Sequence, residues 1–227
     1  LIFESVNLFL VTPLTLIFAF YIYKKAFLGK FFKVMLFMPY ILSEIIVATL
    51  YKYMTNNIIP YIALEWFGAK IPQLLDNEKT QMLTAIIFNV IMWFGINSLI
   101  YSSAMEDVNV SMSEAAQLDG ANVAQEFIYI TLPTIFPTIV TLFIVALAAV
   151  FTDQFRMLSL FYYLPGGLDN VGFYLYMQAS RADMIPNGSA DLTYGALSAM
   201  GLLLSFVVIP LTLGTRRLLN KYGPRAD

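Results

Sequence analysis

Six side chains in this sequence could hold a polar solute inside an otherwise apolar protein: Glu44, Asn89, Trp93, Asn97, Asp153 and Gln154. All lie in or at the end of long hydrophobic runs, where a polar group is costly unless it pairs with another or faces water. Glu44 sits 11 residues beyond Lys33, roughly 16 Å along a helix at about 1.5 Å per residue, near the middle of a bilayer. Asn89, Trp93 and Asn97 recur at four-residue spacing and so share one helix face. Carboxylates and amides beside an indole are the groups that hydrogen-bond and stack a hydroxyl-rich ligand. A plainer reading stands beside it. Asn89 and Asn97 can be hydrogen bonds between helices, worth ~0.6–2 kcal/mol each, and Asp153 can form an ion pair with Arg156.

Other chemistry is excluded by composition. The chain has no Cys and no His, which removes disulfides, thiolate or imidazole metal sites, and any Cys or His nucleophile or base. It has no GxxxxGK[ST] stretch to cradle nucleotide phosphates, and no basic patch that would suit nucleic acid.

The elements that must position these residues are membrane spans. Hydrophobic residues make up 59% of the 227 and charged residues 12%, against about a quarter charged in a soluble domain; mean hydropathy is +0.72. The apolar residues come in runs of about 20, the length that crosses a bilayer core. The expected fold is an all-α polytopic membrane protein with about five spans: 1–23, 34–54, 81–103, 134–155 and 194–215. The stretch 55–80 reads as external, with a short interfacial helix over 60–67. The whole chain, 1–227, reads as one transmembrane domain.

Sidedness follows from lysine and arginine. Lys24, Lys25, Lys30 and Lys33 crowd one loop, and Arg216, Arg217 and Lys221 follow the last span; both clusters are cytoplasmic by the positive-inside rule. Leu1 is then external with no charged leader before it, so at least one further span is expected upstream. The loop 104–133 is cytoplasmic by counting spans. It carries Glu106, Asp107, Glu114, Asp119 and Glu126, with no Lys or Arg between Lys79 and Arg156.

That loop is the polar exception in an apolar chain. Ser111-x-x-Glu114 reads as a capping box, and Gly120 as the residue that ends the short helix after it. A second helical run, 121–129, leads to Pro133 at the mouth of the fourth span. Two short helices joined at a glycine make a knob, with Ala115 and Ala116 small enough for close approach by a partner.

Glu114-Ala115-Ala116, three residues, Gly120, nine residues, Ile130, one residue, Leu132-Pro133 resembles the EAA loop of the membrane subunits of type I ATP-binding-cassette importers. Phe37-Met38-Pro39-Tyr40, Asp119-Gly120-Ala121, Ile130-Thr131-Leu132-Pro133, Gly166-Gly167 (with Leu168 where a proline is usual) and Tyr194-Gly195-Ala196 are similar to stretches of the carbohydrate, maltose- and glycerophosphate-type, branch. The resemblance implies a permease subunit with a missing first span, in a bacterial plasma membrane. It implies as partners a second homologous permease subunit, two cytoplasmic ATPases that bind ATP and Mg, an extracellular solute-binding protein and a sugar substrate. It assigns ATPase coupling to Glu114, Ala115, Ala116, Asp119, Gly120, Ile130, Leu132 and Pro133, with Glu114 expected to pair with a basic residue of the ATPase. Coupling is expected through a Glu114 helix rigidly continuous with the fourth span, and no catalysis or cofactor is expected in this chain. The rival reading is an ion-coupled secondary transporter of a polar solute, which would more often show an internal repeat and more spans. A channel lacks a filter signal, and a membrane-embedded enzyme lacks a catalytic set.

Overall fold

A computed structural model describes residues 2–161, 170–182 and 189–224, with side chains described outside 181–193. The Gly166-Gly167 pair, with the rest of 162–169 and with 183–188 in the stretch between the fourth and last expected spans, lies outside the described residues.

A backbone amide has no partner in hydrocarbon except another amide of its own segment, so the apolar runs must be helical. They are, and no strand occurs among the described residues. In chain order the helices are α1 (Ile2–Tyr23), α2 (Gly29–Ile41), α3 (Glu44–Phe67), α4 (Gln81–Glu106), α5 (Val110–Leu118), α6 (Val123–Thr134), α7 (Phe136–Thr152), α8 (Met157–Leu160), α9 (Val171–Ala182) and α10 (Ser189–Tyr222). α1, α4 and residues Tyr194–Tyr222 of α10 are each long and apolar enough to cross a membrane. The pairs α2 with α3, bent by 100°, and α6 with α7, bent by 67°, pass the same test together, each as a broken span or a re-entrant loop.

Two expectations about the spans are corrected. The run expected as one span over 34–54 is broken: α2 ends at Ile41 and α3 starts at Glu44, with Ser43 extended at φ −57°, ψ 131°. Pro39 already removes one backbone donor in the last turn of α2. α3 then runs through the residues expected to be external loop, and the 60–67 segment is its last two turns, ending at the left-handed Gly68 (φ 63°). The last helix is also longer than expected, running to Tyr222.

Three turns are wider than α-helical, over Asn7–Val11, Met54–Ile58 and Phe127–Thr131. In each, a proline (Pro13, Pro60 or Pro133) follows two residues after the turn ends. Proline has no N–H to donate and its ring crowds the carbonyl four residues back. The helix relieves that crowding by adding a residue to the turn before it. The residue preceding each proline donates its N–H across five residues, from Thr12 to Asn7, Ile59 to Met54 and Leu132 to Phe127.

The described chain divides into two compact units. In the first, built from Leu1–Glu4, Leu42–Ile91 and Ala148–Leu211, α3 meets α4 through Tyr51. Its ring lies 5.0 Å from that of Phe88, and its hydroxyl donates to the Thr84 carbonyl at 2.7 Å. The turn after α3 is closed by Asn56, which donates to Asp76 at 2.8 Å and accepts from the Leu75 N–H at 2.9 Å. Gly172 lets α9 start directly against the Thr152 and Asp153 carbonyls; a Cβ there would lie 2.6 Å from both oxygens.

In the second unit, built from Ser5–Ile41, Met92–Leu147 and Thr212–Asp227, the core is a cluster of Ala19, Phe20, Tyr101, Met105, Val108 and Ile135. α2 crosses α4 closely enough at Gly95 that a Cβ there would lie 2.2 Å from the Leu36 carbonyl oxygen.

Candidate functional site

The polar loop forms the knob expected of it, by a different set of caps. α5 starts at Asn109, whose Oδ1 accepts from both the N–H and the hydroxyl of Ser111, at 3.0 and 2.9 Å. The expected Ser111–Glu114 box is therefore not the cap. Asn is as good a cap as Ser, and capping two residues earlier lengthens α5 by that much. The capping box of the loop is at Asn122 and Gln125, each side chain bonded to the other's backbone N–H at 2.8 Å. α5 ends at Asp119, and Gly120 turns the chain at φ 83°, the left-handed conformation that glycine adopts without a Cβ clash.

Burial divides the motif in two. Glu114, Ala115, Asp119 and Gly120 are exposed and Ala116 is half-buried. Leu118 is 90% exposed, and Val110, Met112 and Val123 are also exposed. Ile130 and Leu132, by contrast, pack on the core cluster with Phe127, and the Phe127 ring lies 4.8 Å from that of Phe20 on α1. The first half of the motif is a surface and the second half is its root.

The root is locked by charge. Glu126, 2% exposed, accepts a charged hydrogen bond from Lys24 at the end of α1. Burial alone would push the Glu126 carboxyl up; the Lys24 ammonium, with the nearby Ser113 hydroxyl and Gln117 amide adding to it, outweighs burial and holds it below its ordinary value. A second, more exposed pair joins Lys33 of α2 to Glu106 at the end of α4, at 3.0 Å. So two of the five loop carboxylates face the chain's own lysines. Asp107, Glu114 and Asp119 are exposed and form no ion pair among the described residues.

The expected rigid continuity between Glu114 and the fourth span is corrected. Glu114 sits on α5, which Gly120 separates from α6, and α6 meets α7 at a 67° bend at Ile135. Pro133, Pro137 and the wide turn at Phe127–Thr131 all fall near that bend. α5 and α7 are therefore connected through α6 by two joints, at Gly120 and at Ile135.

Of the six candidate solute residues, the first unit brings Glu44 and Asn89 together around Arg156. The guanidinium donates to Asn89 Oδ1 at 3.2 Å and its Nε lies 3.8 Å from Glu44 Oε2. Glu44 also accepts from Ser159 at 2.5 Å. The Asn89 amide is fully buried and donates to the Ala85 and Phe155 carbonyls, both at 3.0 Å, a geometry that fits the interhelical reading. Asp153 Oδ1 accepts from the Phe155 N–H at 2.8 Å, and half-buried Gln154 lies beside it with a buried side-chain oxygen that has no hydrogen bond among the described residues. Phe155 and Arg156 both adopt left-handed backbone, φ 51° and 57°, which turns the chain sharply after α7. Trp93 and Asn97 lie further along α4, in the part belonging to the second unit, and are half-buried.

Sequence reasoning missed Lys24 and Glu126 as partners, and Arg156 and Ser159 as neighbours of Glu44. The Asn122-x-x-Gln125 box was legible as a capping signature; the long-range pairs left no local signal.

Comparisons with known proteins agree with this architecture. Residues 11–226 match the family described as binding-protein-dependent transport system inner membrane component. The arabinooligosaccharides transport system permease protein AraP of Halalkalibacterium halodurans is 30% identical over 190 residues, 80% of this chain and 57% of that protein. AraP of Bacillus subtilis is 29% identical over 229 residues, 95% of this chain and 68% of that protein. The chain thus spans a little over half to about two thirds of these relatives' length. A solved bacterial alginate ABC transporter, in complex with alginate pentasaccharide-bound periplasmic protein, contains a chain of the same fold. It has a TM-score of 0.80 at 20% identity over 99% of this chain and 77% of that one. With the family model matching nearly all of its length, this integral membrane chain belongs to the binding-protein-dependent transport system inner membrane components.

Proposed function

We propose that this chain is the permease subunit of an ATP-driven importer for a sugar or oligosaccharide. It forms half of the pathway with a second homologous subunit in a bacterial plasma membrane. A solute-binding protein delivers from outside, and two cytoplasmic ATPases, which hold ATP and Mg, dock on the loop 104–133. The observation that carries this reading is the exposed half of the knob. Glu114, Ala115 and Leu118 form a solvent-facing surface on helices too short and polar to enter the bilayer. Four exposed apolar side chains on one polar loop, Val110, Met112, Leu118 and Val123, support a partner protein that covers them. The names of the relatives, which are permeases for arabinooligosaccharides, support a carbohydrate substrate.

Alternating access then follows if the closed ATPase pair favours one disposition of the knob over another. α10 supports a partner in the membrane: among the described residues, nothing beyond the helix's own backbone lies within 4 Å of where a Cβ on Gly195, Gly201 or Gly214 would be, and small residues allow close helix approach. Glu44, Trp93, Asn97, Asp153 and Gln154 remain the candidate solute residues, while the buried, bonded Asn89 fits the interhelical alternative.

The test is reconstitution of the complex in proteoliposomes with Glu114→Lys. Transport and substrate-stimulated ATP hydrolysis should both be lost while the binding protein still docks outside. Transport at the wild-type rate removes Glu114 from coupling. Purification decides against the rival: a secondary transporter would work alone on an ion gradient, whereas an importer subunit brings an ATPase with it.

A further inference from the structure

We propose that the turn between α1 and α2 is a binding site for the headgroup of an anionic phospholipid, at the cytoplasmic surface of the membrane. Four lysines fall in this turn and the start of α2, and the structure separates them into two roles. Lys24 is consumed by Glu126 and Lys33 by Glu106. Lys25 and Lys30 are exposed, have no ion pair among the described residues, and line an open cavity of about 620 Å³ with Phe27, Leu28 and the Lys33–Glu106 pair.

The surroundings of the cavity are those of a bilayer interface. Phe27 is 82% exposed and Phe31 58%, in a turn where α1 has just ended at Tyr23. Ammonium groups beside outward-facing aromatic rings at the end of a spanning helix match the depth at which phosphates give way to acyl chains.

The turn is also built. Lys25 and Leu28 both take left-handed backbone, φ 52° and 59°, and the Ala26 carbonyl accepts from the Gly29 N–H at 2.9 Å. The Tyr21 hydroxyl donates to the Phe27 carbonyl at 2.5 Å. This fixed conformation sets Lys25 and Lys30 around the cavity. The positive-inside placement puts it on the leaflet that carries anionic lipid.

The occupant is a phosphodiester with acyl chains, because the ammonium groups take the phosphate while Phe27 and Phe31 lie along hydrocarbon. One wall is Glu106 and Val110, which flank the start of α5, so lipid bound here would brace the root of the knob.

The experiment uses the full-length permease in its complex, extracted and exchanged into nanodiscs of phosphatidylcholine with a minor fraction of phosphatidylglycerol. Retained lipid is counted by native mass spectrometry. Wild type should retain phosphatidylglycerol over phosphatidylcholine. Lys25→Gln with Lys30→Gln should weaken that preference about twenty-five-fold, each ammonium near an anionic surface contributing about a factor of five. Lys25→Arg with Lys30→Arg should keep it, and Lys70→Gln with Lys79→Gln, outside the turn, should leave it unchanged. Equal loss in the outer-loop variant, or no loss in the Lys25 and Lys30 variant, overturns the site. Full displacement of the lipid by millimolar glycerol phosphate would show a soluble-phosphate site instead and overturn the lipid assignment. A glutamine variant that no longer assembles is replaced by the wild-type competition and the arginine variant, which decide the matter alone.

Discussion

Lys24 and Glu126, 102 residues apart, join the end of α1 to the root of the knob formed by α5 and α6, and the two ends of the pair are unequally buried. The lysine side chain is 27% exposed and the carboxylate 2%. Lys24→Met strands a buried charge, which costs about 3–5 kcal/mol. Glu126→Gln leaves an ammonium that can reach water and should cost only about 1–2 kcal/mol. Thermal unfolding of the purified protein should therefore rank Lys24→Met clearly below Glu126→Gln. The reverse order would mean that the carboxylate, not the lysine, has access to water.

The same pair sets a pH dependence. Its carboxyl is held below the ordinary glutamate value, so the unfolded chain binds its proton more readily than the folded one, and stability rises with pH across that interval. The pair's contribution is complete above the ordinary range, ~4.3, and is lost as pH falls through the lowered folded value. The difference in melting temperature between wild type and Glu126→Gln should be flat from about pH 8 to 6, where glutamate is ionised in either state. It should shrink only in acid. A difference that already shrinks on going from pH 8 to 6 would contradict the lowered value.

Gly95 and Gly214 offer a paired test of packing. A methyl at Gly95 meets the Leu36 backbone oxygen, whereas nothing lies within 4 Å of one at Gly214. Gly95→Ala should destabilise by about 1–3 kcal/mol through forced separation of α2 and α4. Gly214→Ala should be neutral or stabilise the isolated chain by up to about 1 kcal/mol, through helix propensity. Equal melting temperatures for the two variants would argue against the α2–α4 contact.

The wide turn before Pro133 adds a residue to the helix that carries the knob. Pro133→Ala restores the missing donor and should let the turn close. The segment N-terminal to it would then rotate by about 100° and shift by about 1.5 Å. The chain has no cysteine, so spin labels at Leu118→Cys and Val145→Cys report this distance without background. An unchanged distance distribution would show that the turn is held open by its neighbours and not by the proline.

Asn89 and Glu44 should separate structure from transport. Asn89 is fully buried among bonded groups, whereas the Glu44 side chain is 42% exposed. Asn89→Ala should lower stability by about 1–3 kcal/mol, the cost of unsatisfied buried partners, with transport per folded molecule retained. Glu44→Gln should change the apparent KM for solute with little change in melting temperature. A KM shift in Asn89→Ala and none in Glu44→Gln would reverse these roles.

The spans were legible because length and hydropathy are local properties, and α4 starts at Gln81 as its sequence predicts. The turn at Gly120 was legible because one residue type suits it. The break before Glu44 was not, since the run 34–54 is apolar on both sides and Ser43 is a weak signal. The capping competition between Asn109 and Ser111 turned on where a helix gains two more residues, which neither residue reveals alone. The partition of the five loop carboxylates between the chain's own lysines and solvent depends on contacts more than seventy residues apart. The divided burial of the motif, with Ile130 and Leu132 rooted and Glu114 exposed, likewise needs α1 in place.

Leu118, nine-tenths open to solvent at the end of α5, also bears on the life of the subunit in the cell. On the proposed reading, a chain that has not met an ATPase shows water a leucine that the assembly would cover, and so is chemically distinguishable from one that has. Proteases and chaperones that survey membrane surfaces for exposed apolar groups can read that difference. The abundance of this subunit would then follow the supply of its partner, with orphaned copies removed by the same side chain that docks when the partner is present.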